Sequence, residues 1–359
     1  MSKVTPLHEL ETEAGANFEP FGGWEAAARF GDPLAEYDAL RYGTAVVDLS
    51  FLGKLRAAGK DRLRYLNSML TNDVRKLGPG SGCYAALLTR QGHMESDLWI
   101  YAFADEYWLE CPPGTTARVL ATLQKHIVSD KVDLEDFTDR YGVLSLQGTQ
   151  SAQIMERTVE TSLTMLRPFD HLTISGREGS RIVVRQDRTG RAGYDLWLPR
   201  AALQEVWRRL VESERVRPAG ITALNWIRTE AGIPWYGIDM DDRTLPMEVG
   251  LESAISMTKG CYRGQEIVAR VTHRGHLDRG LGGIVIEATE LPAKGAEVRS
   301  QGTKIGEVTS AIRSPRLGRP LALAVLKKTF LEPATPLEVD CGGVFRSGSV
   351  VSLPLPQDA

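Results

Sequence analysis

The pattern of the chain changes at Gly280. Before it, segments with helical spacing mix with segments in which apolar and polar residues alternate. After it come short β-like runs separated by glycine and proline: GGIVIEA, GAEVRS, GEVTSAI, LALAVLKK and PLEVDC. Runs of this kind are typical of a small β-barrel or sandwich. The sequence therefore predicts an α+β protein whose residues 280–359 form a separate β domain.

The length of the chain limits the number of domains, and its net charge limits the kinds of partner. A chain of 359 residues is long enough for two to three domains. Its 42% hydrophobic and 25% charged residues are those of an ordinary globular protein. The net charge of -3 makes a nucleic-acid partner unlikely, because proteins that coat nucleic acids usually carry a basic surplus.

The four cysteines indicate neither a zinc site nor a disulfide framework, since no two of them form a C-x-x-C pair. His273 and His276 have i, i+3 spacing, but no carboxylate pair accompanies them, so no metal site is predicted. The N-terminus has no apolar signal region, and no apolar run approaches the ~18 residues of a spanning helix. We expect a cytoplasmic protein without a membrane partner.

The N-terminal part reads as an irregular arm followed by a well-marked helix. Residues 1–31 are rich in glycine and aromatic residues and predict an ordered arm without regular structure. In DPLAEYDALRYG, Asp32 is a suitable N-cap, Pro33 suits the first helical position and Gly43 suits the end.

The segment HMESDLWIYAFADEYWLEC alternates, breaks near Asp105 and alternates again, which predicts a β-hairpin. Side chains of a strand point to alternate faces, so Asp97, Trp99 and Tyr101 share one face. A carboxylate in an aromatic row is either an exposed edge residue or the polar group of a ligand pocket. The pattern alone leaves both readings open.

The stretch KGCYRGQEIVAR, residues 259–270, places a cysteine between basic residues and just before a predicted helix that begins near Gly264. Lys259, Arg263 and the helix N-terminus would all stabilise a thiolate. Cys261 and Lys259 are therefore candidate catalytic residues. The alternative is a cysteine that serves as a small buried hydrophobe in a turn.

Several motifs together resemble a known family. KGCYRGQE resembles the signature of the YgfZ-type folate-binding proteins, a branch of the superfamily that includes the glycine-cleavage T-protein, an aminomethyltransferase. Other stretches follow the same family in the same order: FGGW at 21–24, VVDLSFLGKLRAAGKD at 46–61, LTNDV at 70–74, LQG at 146–148, PMEVGLE at 246–252 and GEVTSAIRSPRLGRPLALAVL at 306–326.

The resemblance implies a three-domain ring that holds tetrahydrofolate, or a one-carbon derivative of it, in a central opening. The two mixed α+β domains would be residues 1–140 and residues 141–279, interleaved with each other. The C-terminal β-barrel would be residues 280–359.

The resemblance also implies the folate-binding residues. Asp97 matches the carboxylate near the reactive nitrogens of the folate, and Asp195 stands where T-proteins carry a glutamate that holds the pterin. A carboxylate suits that role because it can accept two parallel N–H bonds. Tyr84 and Tyr101 match pocket-lining aromatic positions, and Arg228 matches a family arginine. The chain departs from the T-protein pattern in the serine at 96, the shorter acid at 195 and CPPG at 111–114.

These departures favour folate binding over aminomethyl transfer. The resemblance implies a tetrahydrofolate-binding protein that acts in iron–sulfur cluster assembly or repair, and so in tRNA modification, with iron–sulfur client proteins as transient partners and Cys261 as the reactive group. The alternative is a folate-dependent aminomethyltransferase or demethylase, in which Asp97 is essential and Cys261 is dispensable. A third hypothesis, an RNA-contacting module using residues 270–279, is disfavoured by the acidic pI of about 6.1.

Overall fold

The computed structural model describes residues 2–274 and 277–356. Its α-helices are α1 (His8–Glu13), α2 (Pro33–Tyr42), α3 (Arg62–Met69), α4 (Thr116–Lys125), α5 (Ser151–Val159), α6 (Arg200–Arg208), α7 (Ile221–Glu230) and α8 (Gln265–Arg274). Its strands are β1 (Lys3–Val4), β2 (Asn17–Phe21), β3 (Trp24–Arg29), β4 (Thr44–Asp48), β5 (Gly53–Ala58), β6 (Gly82–Leu88), β7 (Met94–Ala102), β8 (Glu106–Cys111), β9 (Asp133–Asp136), β10 (Tyr141–Gly148), β11 (His171–Gly176), β12 (Gly179–Arg185), β13 (Gly193–Pro199), β14 (Arg217–Pro218), β15 (Arg279–Ile286), β16 (Glu297–Ser300), β17 (Thr303–Arg313), β18 (Pro320–Lys327), β19 (Pro336–Asp340) and β20 (Phe345–Val351).

The chain forms two compact units, and neither is continuous in sequence. The first unit contains Met1–Leu87, Ser96–Leu224 and Ala254–Arg263. The second contains Leu88–Glu95, Asn225–Ser253 and Gly264–Ala359. The borders placed at residues 140 and 279, and the interleaving expected between the two α+β domains, stay predictions.

The first unit is built around two sheets, each with helices on one face. A five-stranded sheet has the order β6-β7-β8-β5-β9, and a six-stranded sheet has the order β11-β12-β13-β10-β4-β14. Apolar side chains of α3 and α4 pack on the first sheet, and those of α5 and α6 pack on the second. The other faces of the two sheets pack against each other. The ring of Tyr101 on β7, for example, lies 5.5 Å from that of Trp197 on β13.

The predicted α2 is confirmed in detail, whereas the description of the N-terminal arm is wrong. The Asp32 carboxylate accepts a hydrogen bond from the Leu34 N–H at 3.0 Å, and Pro33 occupies the first turn. Residues 3–29 are regular: they form α1 and a three-stranded sheet of order β1-β3-β2. The glycines and aromatic residues that suggested irregular structure belong to tight turns and short strands, whose pairing is decided by tertiary contacts.

The predicted hairpin is also confirmed. Strands β7 and β8 pair antiparallel, with Trp99 opposite Glu110. Leu98, Ile100 and Ala102 enter the apolar core beneath α3 and α4. The opposite face, which carries Asp97, is turned toward the second sheet and places a carboxylate in the interior of the unit.

The second unit contains the predicted barrel. Six strands close in the order β15-β18-β17-β16-β19-β20, and β15 pairs with β20 to complete the ring. Alternate side chains such as Ile284 and Ile286 fill the interior. At Gly306 an added Cβ would lie 2.3 Å from the Val325 carbonyl oxygen, so only glycine allows the neighbouring strand to approach there. In the described residues we find no helix long and apolar enough to span a membrane.

Candidate functional site

The candidate site lies in the first unit, where the two sheets face each other. Alternation along β7 and β13 turns Asp97, Tyr101 and Asp195 into this layer, while their sequence neighbours enter the apolar cores on the other sides of the sheets. Tyr84 reaches the layer from β6. Four of the five residues expected to bind folate are therefore in one compact unit.

Asp97 has one satisfied carboxylate oxygen and one free one. The Tyr84 hydroxyl donates to Asp97 Oδ2 at 2.7 Å. Asp97 Oδ1 is buried and has no hydrogen-bond partner among the residues that the structure describes. Burial raises the pKa of Asp97 to about 6, helped by the charge of Glu110 and opposed by the Tyr84 hydrogen bond. Asp97 is thus a buried acid that changes charge near neutral pH.

Asp195 is held by an arginine that the sequence analysis did not single out. Arg188 donates from Nε at 2.9 Å and from Nη2 at 2.5 Å, both to Asp195 Oδ2. Nη2 also donates to Glu110 Oε1 at 2.7 Å. Both carboxylates are 0% exposed, and the arginine neutralises only part of their charge. Asp195 Oδ1 remains buried and unpartnered.

Aromatic rings line the layer beside these charges. The rings of Tyr84 and Trp99 are 4.8 Å apart, and the Arg188 guanidinium lies 5.6 Å from the centre of the Trp99 ring. Tyr84, Trp99 and Arg188 are half-buried, so the layer reaches solvent on their side. Tyr101 is fully buried and donates to Glu110 Oε2 at 3.4 Å.

A buried lysine adds a second positive charge to the layer. Lys54 on β5 donates to the carbonyl oxygens of Ser50 at 2.9 Å and Leu52 at 2.7 Å. Burial lowers the pKa of Lys54 to about 8, against the opposing effect of Glu110 and Asp48. Lys54 and Arg188 together compensate the two carboxylates of Glu110 and Asp195.

These groups fit a ligand that is planar and rich in N–H donors. Two buried carboxylate oxygens, Asp97 Oδ1 and Asp195 Oδ1, accept no hydrogen bond from residues 2–274 and 277–356. A buried acceptor without a partner costs free energy, which a ligand donor would recover. The half-buried rings of Tyr84 and Trp99 can contact a flat ring beside these oxygens. Across residues 2–274 and 277–356, no three His, Cys, Asp or Glu side chains are placed to hold a metal ion.

The signature loop has a different environment. Lys259 Nζ donates to the carbonyl oxygens of Asn67, Leu70 and Asn72 at 2.6–2.7 Å, so its three N–H bonds are directed at the end of α3 and the residues after it. Tyr262 is buried with its ring 5.1 Å from the same ammonium. Cys261 is exposed. Lys259 therefore fixes the loop, and its catalytic role stays a prediction.

Arg228 lies in the second unit, in a network of its own. It donates to Asn225 Oδ1 at 2.8 Å and to Ser310 Oγ at 2.8 Å, and it forms an ion pair with Asp239. Asp239 in turn accepts from the Thr309 hydroxyl at 2.6 Å. The guanidinium thus joins α7 to the barrel strand β17, and its folate-binding role stays a prediction.

Two residues were missed in the sequence analysis. Glu110 lies two positions after Trp108 on β8, so the alternation used for β7 would have placed it on the same face as Asp97. Arg188 sits in residues 186–192 between β12 and β13, and no local pattern shows where its long side chain points. Of the stretch proposed to contact RNA, residues 275 and 276, including His276, lie outside the described residues.

Comparisons with known proteins agree on one family. Residues 7–259 match the GCVT N-terminal domain, and residues 279–356 match the glycine cleavage T-protein C-terminal barrel domain. Similar proteins are the aminomethyltransferases of Rubrobacter xylanophilus (32% identity, 89% of this chain and 86% of the relative) and of Nostoc sp. (30% identity, 98% and 94%). The crystal structure of the glycine cleavage system aminomethyltransferase T from Bartonella henselae shares the fold, with a TM-score of 0.92 at 23% identity over 99% of both chains. The relatives' names support the aminomethyltransferase alternative better than an iron–sulfur role, which neither name mentions.

Proposed function

Because the chain belongs to the glycine-cleavage T-protein family, we propose that it binds tetrahydrofolate and transfers a one-carbon group, aminomethyl or methyl, from a donor to that folate. The observation that carries the proposal is the pair of buried, unpartnered oxygens on Asp97 and Asp195 beside the rings of Tyr84 and Trp99. This corresponds to the alternative function of the sequence analysis, not to its leading one.

Each side chain has a distinct role in this proposal. Bound tetrahydrofolate would supply the nucleophilic nitrogens, which form a bond to the transferred carbon as the bond from that carbon to the donor breaks and the donor leaves. Asp195 Oδ1 accepts an N–H of the pterin and orients the ring. Tyr84 holds Asp97 Oδ2, which leaves Asp97 Oδ1 to accept a proton from a folate nitrogen. Because the pKa of Asp97 is raised to about 6, the carboxylate can take up and release a proton near neutral pH.

The proposal is tested first by calorimetry with tetrahydrofolate on the wild-type protein and on two isosteric variants. Asp195→Asn should weaken binding by about tenfold or more, since the amide offers one acceptor oxygen where the carboxylate has two. Asp97→Asn should lower the rate of one-carbon transfer from an N-methyl or aminomethyl donor far more than it lowers affinity. Asp105→Asn, in the exposed turn of the hairpin, is the matched control and should behave as wild type.

Two results would contradict the proposal. If the wild-type protein binds no reduced folate, the pocket assignment fails. If it binds but Asp195→Asn and Asp97→Asn bind and react as the control does, the folate lies elsewhere. In either case the layer of buried charges would be a structural feature only.

A second candidate function rests on Cys261. The residues around it are fixed, since Lys259 makes three hydrogen bonds and the Arg263 N–H donates to the Ser68 carbonyl at 3.0 Å, yet the thiol itself is exposed. Such a thiol suits transient contact with a sulfur- or cluster-bearing partner, as in the iron–sulfur role. In that case Cys261→Ala would bind folate normally and lose activity in an iron–sulfur enzyme maturation assay, while Asp97→Asn would keep it.

A further inference from the structure

The contacts of Arg188 are of the same kind as those proposed for the ligand: N–H groups donated to a carboxylate and a flat group lying against an aromatic ring. Its Nε and Nη2 groups both donate to Asp195, and its guanidinium lies over the Trp99 ring. An amino-pyrimidine edge also presents neighbouring N–H groups from a flat, delocalised system. The guanidinium and such a ring would therefore compete for the same carboxylate.

The competition concerns one particular oxygen. Both N–H groups of Arg188 point to Asp195 Oδ2, and only Oδ1 is free. A carboxylate that accepts two parallel N–H bonds from one ligand uses both of its oxygens. With Arg188 in place, Asp195 can give the ligand one strong acceptor instead of two.

Resting on the proposed function, we propose that Arg188 competes with the ligand for Asp195 and so sets the affinity of the site. Arg188 must release Asp195 before the ligand can pair with both oxygens of that carboxylate. Glu110 stays bonded to Arg188 after this release. Glu110 can play this part because its bond to Arg188 Nη2, at 2.7 Å, is separate from the bonds to Asp195. The released guanidinium therefore keeps a carboxylate partner, which avoids the large cost of an unpaired buried charge.

The surroundings allow the side chain to move while the backbone stays. The Arg188 N–H donates to Gln147 Oε1 at 3.2 Å, and the neighbouring Gln186 N–H donates to the Gly193 carbonyl at 3.0 Å. These bonds hold the ends of the connection between β12 and β13. The Arg188 side chain is 11% exposed, in contrast to the fully buried carboxylates, so part of it already reaches solvent.

The test compares tetrahydrofolate affinity in two variants with opposite expected signs. Arg188→Met/Glu110→Gln removes one positive and one negative charge together, and it should bind about tenfold more tightly because the bound form no longer has to displace Arg188. Glu110→Gln alone leaves the arginine with Asp195 as its sole carboxylate, and it should bind several-fold more weakly. Arg191→Met, in the same connection but bonded to the Arg41 carbonyl, is the control and should leave affinity unchanged.

Other roles for Arg188 give other patterns. If it contacts the ligand directly, both variants bind more weakly, and the inference is overturned. If it is only a structural ion pair, the double variant changes the unfolding midpoint in urea without tightening binding, which also overturns it. Should the double variant not fold, Arg188→Lys keeps the charge but not the fork, and tighter binding is expected there too. A complete absence of folate binding in all the proteins would instead reject the proposed function, and this inference with it.

Discussion

Asp97 is the residue whose titration we expect to be visible in function. Its pKa is raised to about 6, mainly by burial, so the carboxylate is ionised above pH 7 and protonated below pH 5. Only the ionised form offers Oδ1 as a full acceptor for a proton from the folate. We therefore predict that transfer is constant above pH 7 and falls by about tenfold per pH unit below about pH 6. Asp97→Asn should transfer the one-carbon group slowly and should not show this decrease of the rate at low pH. A profile of rate against pH from pH 5 to 8 will show both effects. A wild-type rate that does not change with pH would contradict the assignment.

The buried acids Glu11 and Asp48 should affect the free energy of unfolding and not the transfer reaction. Glu11 on α1 and Asp48 on β4 each keep one buried oxygen without a partner in the described part of the chain, and the Thr5 hydroxyl donates to Glu11 at 3.4 Å. Burial raises the pKa of both acids, and the charge of Asp48 raises that of Glu11 further. The folded state thus holds more protons than the unfolded state above pH ~4. Stability contributed by the protonated pair is complete below that pH and decreases as the pH rises through the folded pKa values.

Glu11→Gln removes the pH dependence of stability that comes from Glu11 and leaves that of Asp48. The variant should be more stable than wild type at pH 8, by about 1 kcal/mol, because no second charge is then buried beside Asp48. At pH 4 the advantage should disappear. Urea unfolding at both pH values measures the difference, and Glu13→Gln, exposed at the end of α1, is the control. An equal pH slope for the variant and for wild type would show that the two acids do not share this burial cost.

Local alternation and family position were sufficient to single out side chains that the structure brings together. Tyr84, Asp97, Tyr101 and Asp195 lie in one layer, and their folate-binding role stays a proposal. Arg188 and the ion pairs it makes could not be predicted, because they join a connection after β12 to β8, some 78 positions earlier in the chain. Contacts of this kind depend on how two sheets meet, which no short pattern records.

At the scale of elements, the signature loop was predicted correctly in position, while the catalytic roles of Cys261 and Lys259 stay predictions. The helix predicted near Gly264 is α8, and Cys261 precedes it. Gly264 has a φ of +84°, and an added Cβ would lie 2.5 Å from the Thr89 carbonyl oxygen, so this glycine is required by the backbone. Lys259 is directed away from solvent toward α3. Of KGCYRGQE, these two positions are explained by packing.

Lys259→Met tests this structural role. The change leaves three carbonyl oxygens at the end of α3 without their ammonium partner, and the methionine still fills the volume. We expect a loss of at least about 3 kcal/mol in the free energy of unfolding, since a typical hydrogen bond contributes ~1 kcal/mol and a bond to a charged group contributes more. Cys261→Ala, two residues away and exposed, should change stability by less than about 0.5 kcal/mol. Equal effects of the two changes in urea unfolding would mean that the loop is not held by Lys259.

At the scale of the whole molecule, each of the two units is assembled from separate segments of the chain. A ligand stabilises the unit whose residues it contacts. Tyr84, Asp97, Tyr101 and Asp195 belong to the first unit, whereas Arg228 belongs to the second and is engaged there with Asp239 and Ser310. The barrel could be predicted from its short runs after Gly280. The division of residues 1–279 between two units could not, because it depends on contacts between segments far apart in the chain.

Hydrogen exchange with and without folate will decide which unit carries the site. A ligand present at 100 times its dissociation constant stabilises the form it binds by about 2.7 kcal/mol, and the amides that exchange through unfolding of that unit should slow accordingly. We predict slower exchange in β7, β8 and β13 of the first unit and little change in the barrel strands β16 and β19. Equal protection around Arg228 and β17 would show that the second unit also binds the ligand, and would support the prediction that Arg228 binds folate. Arg228→Met provides the independent check: it should destabilise the second unit and leave folate affinity unchanged, since the bonds it breaks are all within that unit.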